Sequence, residues 1–135
     1  MSYVVGYIDH LTYALALTWK GRRGRNSFTS NRGAWHLAVE EIQKRFKDEI
    51  PELRDIFFTR RPPLAPWSSE VDEWISMLRK SYLIITYLMP PYHDIEMDVD
   101  QRKHIVGRNR QRLRRYKPQI EEMAAIFNRY LTPSI

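Results

Sequence analysis

Ser69 to Met89 reads SEVDEWISMLRKSYLIITYLM, and whether this is one helix or a helix followed by a strand decides the fold class. Ser69 stands before Glu70, Val71, Asp72 and Glu73. A serine N-cap followed by acids in the first turn suits the positive end of a helix dipole. Val71, Trp74, Ile75, Leu78, Tyr82, Ile85 and Met89 then recur at helical spacing for about five turns. From Ser81 the run SYLIITYLM is apolar on almost every face, and in isolation it also fits a strand. Continuity with the upstream stripe predicts a single helix whose C-terminal half is central to the core. Pro90 and Pro91 then stop it.

Upstream, TRRPPLAPWSS (Thr59–Ser69) holds three prolines in five residues and cannot be helical. It reads as a stiff extended strap packed by Leu64 and Trp67. A docking ligand for a proline-reading partner is the alternative for such a segment. Pro51 is suited to open a short helix, PELRDIFF. Trp35, Ala38, Val39, Ile42 and Phe46 mark one stripe of a helix over Trp35–Lys47. Acid-before-base pairs, Glu40–Lys44 and Glu41–Arg45, lie on its outer side. His36 falls off that stripe and is expected to be exposed. Tyr3 to Trp19 is apolar on nearly all faces, which predicts a helix buried in a bundle or against a partner. Asp9 and His10 within it are expected at its rim, or bonded to neighbours, because an unpartnered buried charge is costly. Downstream, PQIEEMAAIFNRYL opens with Pro118 and carries Ile120, Met123, Ala124, Phe127 and Leu131 on one face.

The fold expected is therefore all-α: an irregular bundle of about five main helices plus short helical pieces, in a single domain spanning residues 1–135. With 135 residues and 43% hydrophobic content, the chain can bury a substantial core. There is no cysteine, which excludes disulfides, thiolate-ligated zinc and thiol catalysis. An intracellular, cytoplasmic setting follows as the default. The N-terminal apolar run is interrupted by Asp9, His10 and Thr12, and its basic residues come after it. It resembles neither a signal peptide nor a membrane span, and no membrane partner is expected.

The function is carried by charge. Gln101 to Lys117, QRKHIVGRNRQRLRRYK, contains eight Lys or Arg and no carboxylate. The whole chain has a net charge of +6, so everything outside this stretch is net acidic. Read as one helix at about 100° per residue, it places Ile105, Val106, Leu113 and Tyr116 in a narrow apolar seam. Lys103, Arg110 and Arg114 form one cationic ridge, and His104, Arg108, Arg112 and Arg115 form a second. Gly107 and Gln111 lie between the two ridges. Like charges four apart repel, and arginine in particular offers a phosphate a bidentate fork. A helix built this way is poorly arranged for stability and well arranged for a polyanion. The glycine- and serine-rich loop KGRRGRNSFTSNRG adds Lys20, Arg22, Arg23 and Arg25, a possible second phosphate contact.

The leading expectation is a nucleic-acid-binding protein, for DNA or RNA, that contacts the phosphate backbone through Lys103, Arg108, Arg110, Arg112, Arg114 and Arg115, with Arg22, Arg23 and Arg25 as the second contact. It could be a subunit of a larger nucleoprotein complex. The alternative is a non-catalytic assembly subunit or adaptor whose basic face meets an acidic protein, with self-association through the apolar first helix. YHDIEMDVD (Tyr92–Asp100) precedes the basic stretch. Asp98 and Gln101 fit a capping box, and the acids Asp94, Glu96 and Asp100 offset the cations. A metal-dependent hydrolase using His93, Asp94, Glu96 and His104 is a minor reading, since no metal-loop spacing and no nucleophile–base pair is present. No enzyme activity, cofactor or metal is expected.

Overall fold

The last long helix packs against both of the first two. Its apolar positions Ile120, Met123, Ala124, Ile126, Phe127 and Leu131 are all buried, on more than one face. In a computed structural model, residues 6–18, 26–29, 31–61, 65–80, 84–86, 92–95, 99–111 and 113–132 are described. Five α-helices carry the core: α1 (Tyr7–Thr18), α2 (Arg32–Phe46), α3 (Ser69–Lys80), α4 (Val99–Arg110) and α5 (Lys117–Leu131). Short 3-10 helices form at Pro51–Asp55 and Arg114–Tyr116. This is the irregular helical bundle that the periodicity implies. α5 packs most extensively on α1 and α2, α4 lies on α1, and α3 lies on α2.

Two small antiparallel elements accompany the bundle. β1 (Asn26–Thr29), β4 (Ile84–Thr86) and β5 (Tyr92–Ile95) form a three-stranded sheet with β5 in the middle. Asn26 is paired with Ile95, and Thr86 with His93. β2 (Thr59–Arg61) and β3 (Ala65–Trp67) pair antiparallel as a hairpin, so the two flanks of the proline-rich strap are extended; Pro62, Pro63 and Leu64 lie outside the described residues. The single helix expected over Ser69–Met89 is corrected: α3 ends at Lys80, and Ile85 belongs to a strand. Ile84, Ile85 and Thr86 are all β-branched, stiff at χ1 and suited to a pleated surface. Here that local preference outweighs continuity of the helical stripe. Tyr82 and Met89 lie outside the described residues.

Aromatic rings join the helices. Phe28 meets Trp35 edge-on at 6.3 Å between centroids, Trp35 meets Trp74 at 6.0 Å, and Trp74 meets Phe127 at 5.8 Å. Both buried indoles have hydrogen-bond partners, as such groups require. Trp35 Nε1 donates to the Thr29 carbonyl at 2.8 Å, and Trp74 Nε1 donates to Thr12 Oγ1 at 3.1 Å. The second bond explains a buried threonine in the middle of α1.

The helix starts follow capping rules with shifts of register. Asn31 caps α2 by accepting from the Gly33 N–H at 3.0 Å. Ser68, not the expected Ser69, caps α3: its Oγ accepts from the Val71 N–H at 3.3 Å. Asp9 reaches back to the Gly6 N–H at 2.9 Å and so secures the start of α1, half of a capping box. His36, expected to be exposed, is fully buried. It stacks on Trp67 at 4.6 Å, and its Nδ1 accepts from the Ser68 N–H at 3.1 Å. The hairpin covers the side of α2 that the stripe left polar.

Candidate nucleic-acid interface

The seam of the basic segment is as the wheel places it. Ile105, Val106, Leu113 and Tyr116 are buried, while Lys103, His104, Gly107, Arg108, Arg110, Arg114, Arg115 and Lys117 are exposed. One polar residue shares the seam. Asn109 is fully buried, its Nδ2 donates to the Ile105 carbonyl at 2.8 Å, and its Oδ1 has no partner. Asn109 falls inside the arc of the apolar seam, so its burial was available to the same wheel.

The segment is not one helix, however. α4 ends at Arg110, a turn follows, and Arg114–Tyr116 forms a separate 3-10 helix before α5 begins at Lys117. Leu113 (φ −112°, ψ 10°) and Tyr116 (φ −104°, ψ 13°) lie off helical dihedrals. Two causes act together. Pro118 cannot donate to a carbonyl one turn back and must begin a new helix. A continuous helix would also stack Arg110 and Arg114 as like charges four apart. The two unbroken ridges are thus corrected, because Arg114 and Arg115 do not continue the surface of α4.

The break folds part of the basic surface around a cleft. The cleft has a volume of about 460 Å³ and lies between α1, α4 and the start of α5. Tyr13 and Leu17 of α1, Val106 of α4 and Leu113 of the turn give it an apolar floor. Arg110, Arg114 and Lys117 stand at its rim, with Glu121 the one carboxylate among its lining residues. All four rim residues are exposed. None of Lys103, Arg108, Arg110, Arg114, Arg115 or Lys117 makes an ion pair with an acid among the described residues. Acids elsewhere are engaged: Asp72 with Arg32, Glu41 with Arg129, and Asp48 with Arg54.

The expected contact residues therefore divide. Arg110 and Arg114 come together and are joined by Lys117. Lys103 and Arg108 are exposed on α4 but do not line the cleft. Arg115 lies over its neighbour's ring, with the guanidinium 4.7 Å from the Tyr116 centroid. Arg112, Arg22, Arg23 and Arg25, with Lys20, lie outside the described residues. Tyr13 and Leu17 belong to the all-round apolar run of α1, and nothing local in that run announces that cations gather beside them.

Beneath Tyr116 lies a buried histidine. His10 is fully buried, not at the rim of α1, and meets Tyr116 edge-on at 5.4 Å. Its Nε2 is 3.7 Å from Glu52 Oε2, too long for a hydrogen bond. Burial holds its pKa below the ordinary histidine value, with Glu52 opposing that shift. His36 is likewise lowered, mainly by burial. Of the hydrolase candidates only His104 has a described side chain, and it is exposed on α4. Among the described residues no group of three His, Asp or Glu side chains could hold a metal ion, and no helix is long and apolar enough to cross a membrane.

Comparisons with protein-family models, with curated proteins and with solved structures find no match.

Proposed function

We propose that this chain binds nucleic acid through its phosphate backbone, with Arg110, Arg114 and Lys117 as the central contacts and Lys103, Arg108 and Arg115 as flanking ones. One observation carries this reading: three cations from three consecutive elements converge on one cleft without acid partners among the described residues. Arginine and lysine placed so would repel one another unless an anion joined them. Phosphate is the anion that arginine recognises in a bidentate way, and successive phosphates of a strand suit successive cations. The proposed role is to hold and position a strand; base-specific readout is not part of it.

The alternative adaptor reading drew on an apolar first helix seeking a partner. Leu11, Ala14, Leu15 and Ala16 of α1 are instead covered by the chain's own elements. The adaptor reading's other grounds are the cationic surface and the chain's four tryptophans, of which Trp35 and Trp74 are buried in the chain's own core. Charge reversal at Arg108, Arg110, Arg114 and Arg115 tests the proposal. Fluorescence anisotropy with labelled DNA and RNA oligonucleotides should show binding abolished, while far-ultraviolet circular dichroism stays helical. Unchanged affinity in the folded variant refutes it.

A further inference from the structure

We infer that the cleft between α1, α4 and the start of α5 receives one unpaired nucleotide of a single strand, its base on the apolar floor and its phosphate on Arg110, Arg114 and Lys117. This rests on the nucleic-acid reading above and narrows it to single-stranded ligands.

The argument begins with what a phosphate alone would leave unexplained. Three exposed cations on a flat surface would serve a duplex backbone. Here they surround a recess of about 460 Å³ whose floor is Tyr13, Leu17, Val106 and Leu113. That volume falls within the range of small-molecule sites, about 300–1,000 Å³. A ligand that touched only the rim would leave the recess unfilled, with half-buried Leu17 in it and Tyr13, Val106 and Leu113 buried behind. The matching ligand has a flat, weakly polar body joined at short range to an anion. A nucleotide outside a base-paired stack has that form. In a duplex the base is stacked and paired and cannot enter a recess without being extruded.

The shape of the basic segment points the same way. Reading a groove with a basic helix needs a continuous helix that presents its cations along one side. The chain turns after Arg110, the last residue of α4. Arg114 and Lys117 are set around the cleft and do not extend the line of α4. Single-strand binding instead combines a cationic track with apolar or aromatic platforms for bases. Tyr13, itself buried, is the one aromatic residue among those lining this cleft, and Glu121 leaves the rim net positive.

The test compares three fluorescein-labelled probes by anisotropy on the full chain: a dodecameric oligothymidylate, an abasic dodecamer with the same backbone, and the oligothymidylate paired with oligoadenylate. Loss of the bases should weaken binding by about tenfold or more, the usual scale of base contacts. The salt dependence should not change between the two single strands, since their phosphates are the same. The duplex should bind more weakly than the base-bearing single strand. Leu17→Trp, which fills the cleft from a half-buried position, should lower affinity for oligothymidylate towards that of the abasic strand and leave the abasic strand unaffected. Equal affinity of wild-type protein for the abasic and base-bearing strands overturns the inference and leaves backbone binding standing. Failure to bind any of the three probes, or a dodecameric oligouridylate run beside them, overturns both.

Discussion

Replacing Arg110 and Arg114 together by glutamine should change the salt dependence of binding by a calculable amount. Each cation engaged with a single strand contributes about −0.7 to the slope of log K against log salt. Arg110, Arg114 and Lys117 form the rim set, so those three contribute a slope of about −2.1. Between roughly 50 and 200 mM salt that corresponds to about a twentyfold loss of affinity. With Lys117 alone the loss falls to about threefold. Flanking contacts from Lys103, Arg108 or Arg115 would add equally to both proteins, so the difference in slope, about 1.4, does not depend on how many take part. Both arginines are exposed and without acid partners among the described residues, so the double variant should keep its stability to within about 0.5 kcal/mol. Arg79→Gln with Lys80→Gln removes the same charge from the exposed last turn of α3 and serves as the control. Titration of a labelled single strand at several salt concentrations provides the assay. Parallel lines for wild type and the Arg110/Arg114 variant would refute the assignment, as would an equal change in the control.

The fold makes further predictions. Ser68→Ala should cost about 1 kcal/mol in urea denaturation through loss of the cap to Val71, whereas Ser69→Ala should stay within about 0.5 kcal/mol; the reverse order would return the cap to Ser69. Asn109→Leu should stabilise the protein by about 1 kcal/mol, because it removes a buried Oδ1 without a partner, a cost of about 1–3 kcal/mol, at the loss of one bond to the Ile105 carbonyl. A destabilised variant would mean that Oδ1 is satisfied in solution. His10 and His36 have pKa values below that of the unfolded chain, so the unfolded state takes up protons first. Their contribution to stability is full above about pH 6.5 and is lost as the pH falls towards the depressed folded values. His10→Leu should make that fall shallower in thermal melts at pH 7 and pH 5, and an unaltered pH dependence would argue against a neutral buried His10.

What the sequence revealed and what it concealed follow from the range of the interactions. The seam of Ile105, Val106, Leu113 and Tyr116 was legible because each residue's burial depends on the helical period near it. The break after Arg110 was less so: its local signs are the like charges Arg110 and Arg114 four apart and Pro118, which stands well beyond the last residue of α4. Ile84–Thr86 carried two conflicting local signals, and pairing with β5 resolves them in favour of a strand. His36 could not be read at all from α2, since the ring that covers it belongs to Trp67, on a separate hairpin. The cleft is the extreme case. Its lining comes from α1, from the end of α4 with its turn, and from the start of α5, and only the packing of α4 and α5 on α1 brings these together. Charge density singled out the segment that supplies the cleft's cations; the shape into which it folds was not available from spacing.

The placement of these cations bears on whether stability alone explains them. Arg108 and Arg110 stand in the last turn of α4, where a cation complements the negative end of the helix and contributes about 0.3–1 kcal/mol. Their presence needs no ligand. Lys117 is different. It is the first residue of α5, a 15-residue helix with no acid in its first turn, and Arg114 and Arg115 immediately precede that helix. The same dipole makes a cation unfavourable there and an anion favourable. Glu121 and Glu122, one turn on from Lys117, offset only part of this charge. Selection for stability would put an acid at this end of α5, as it does in the first turn of α3 with Glu70 and Asp72. The start of α5 instead combines the positive end of a helix with three basic side chains, an arrangement that costs the free protein energy. A phosphate seated at the rim would offset that cost by neutralising the cations.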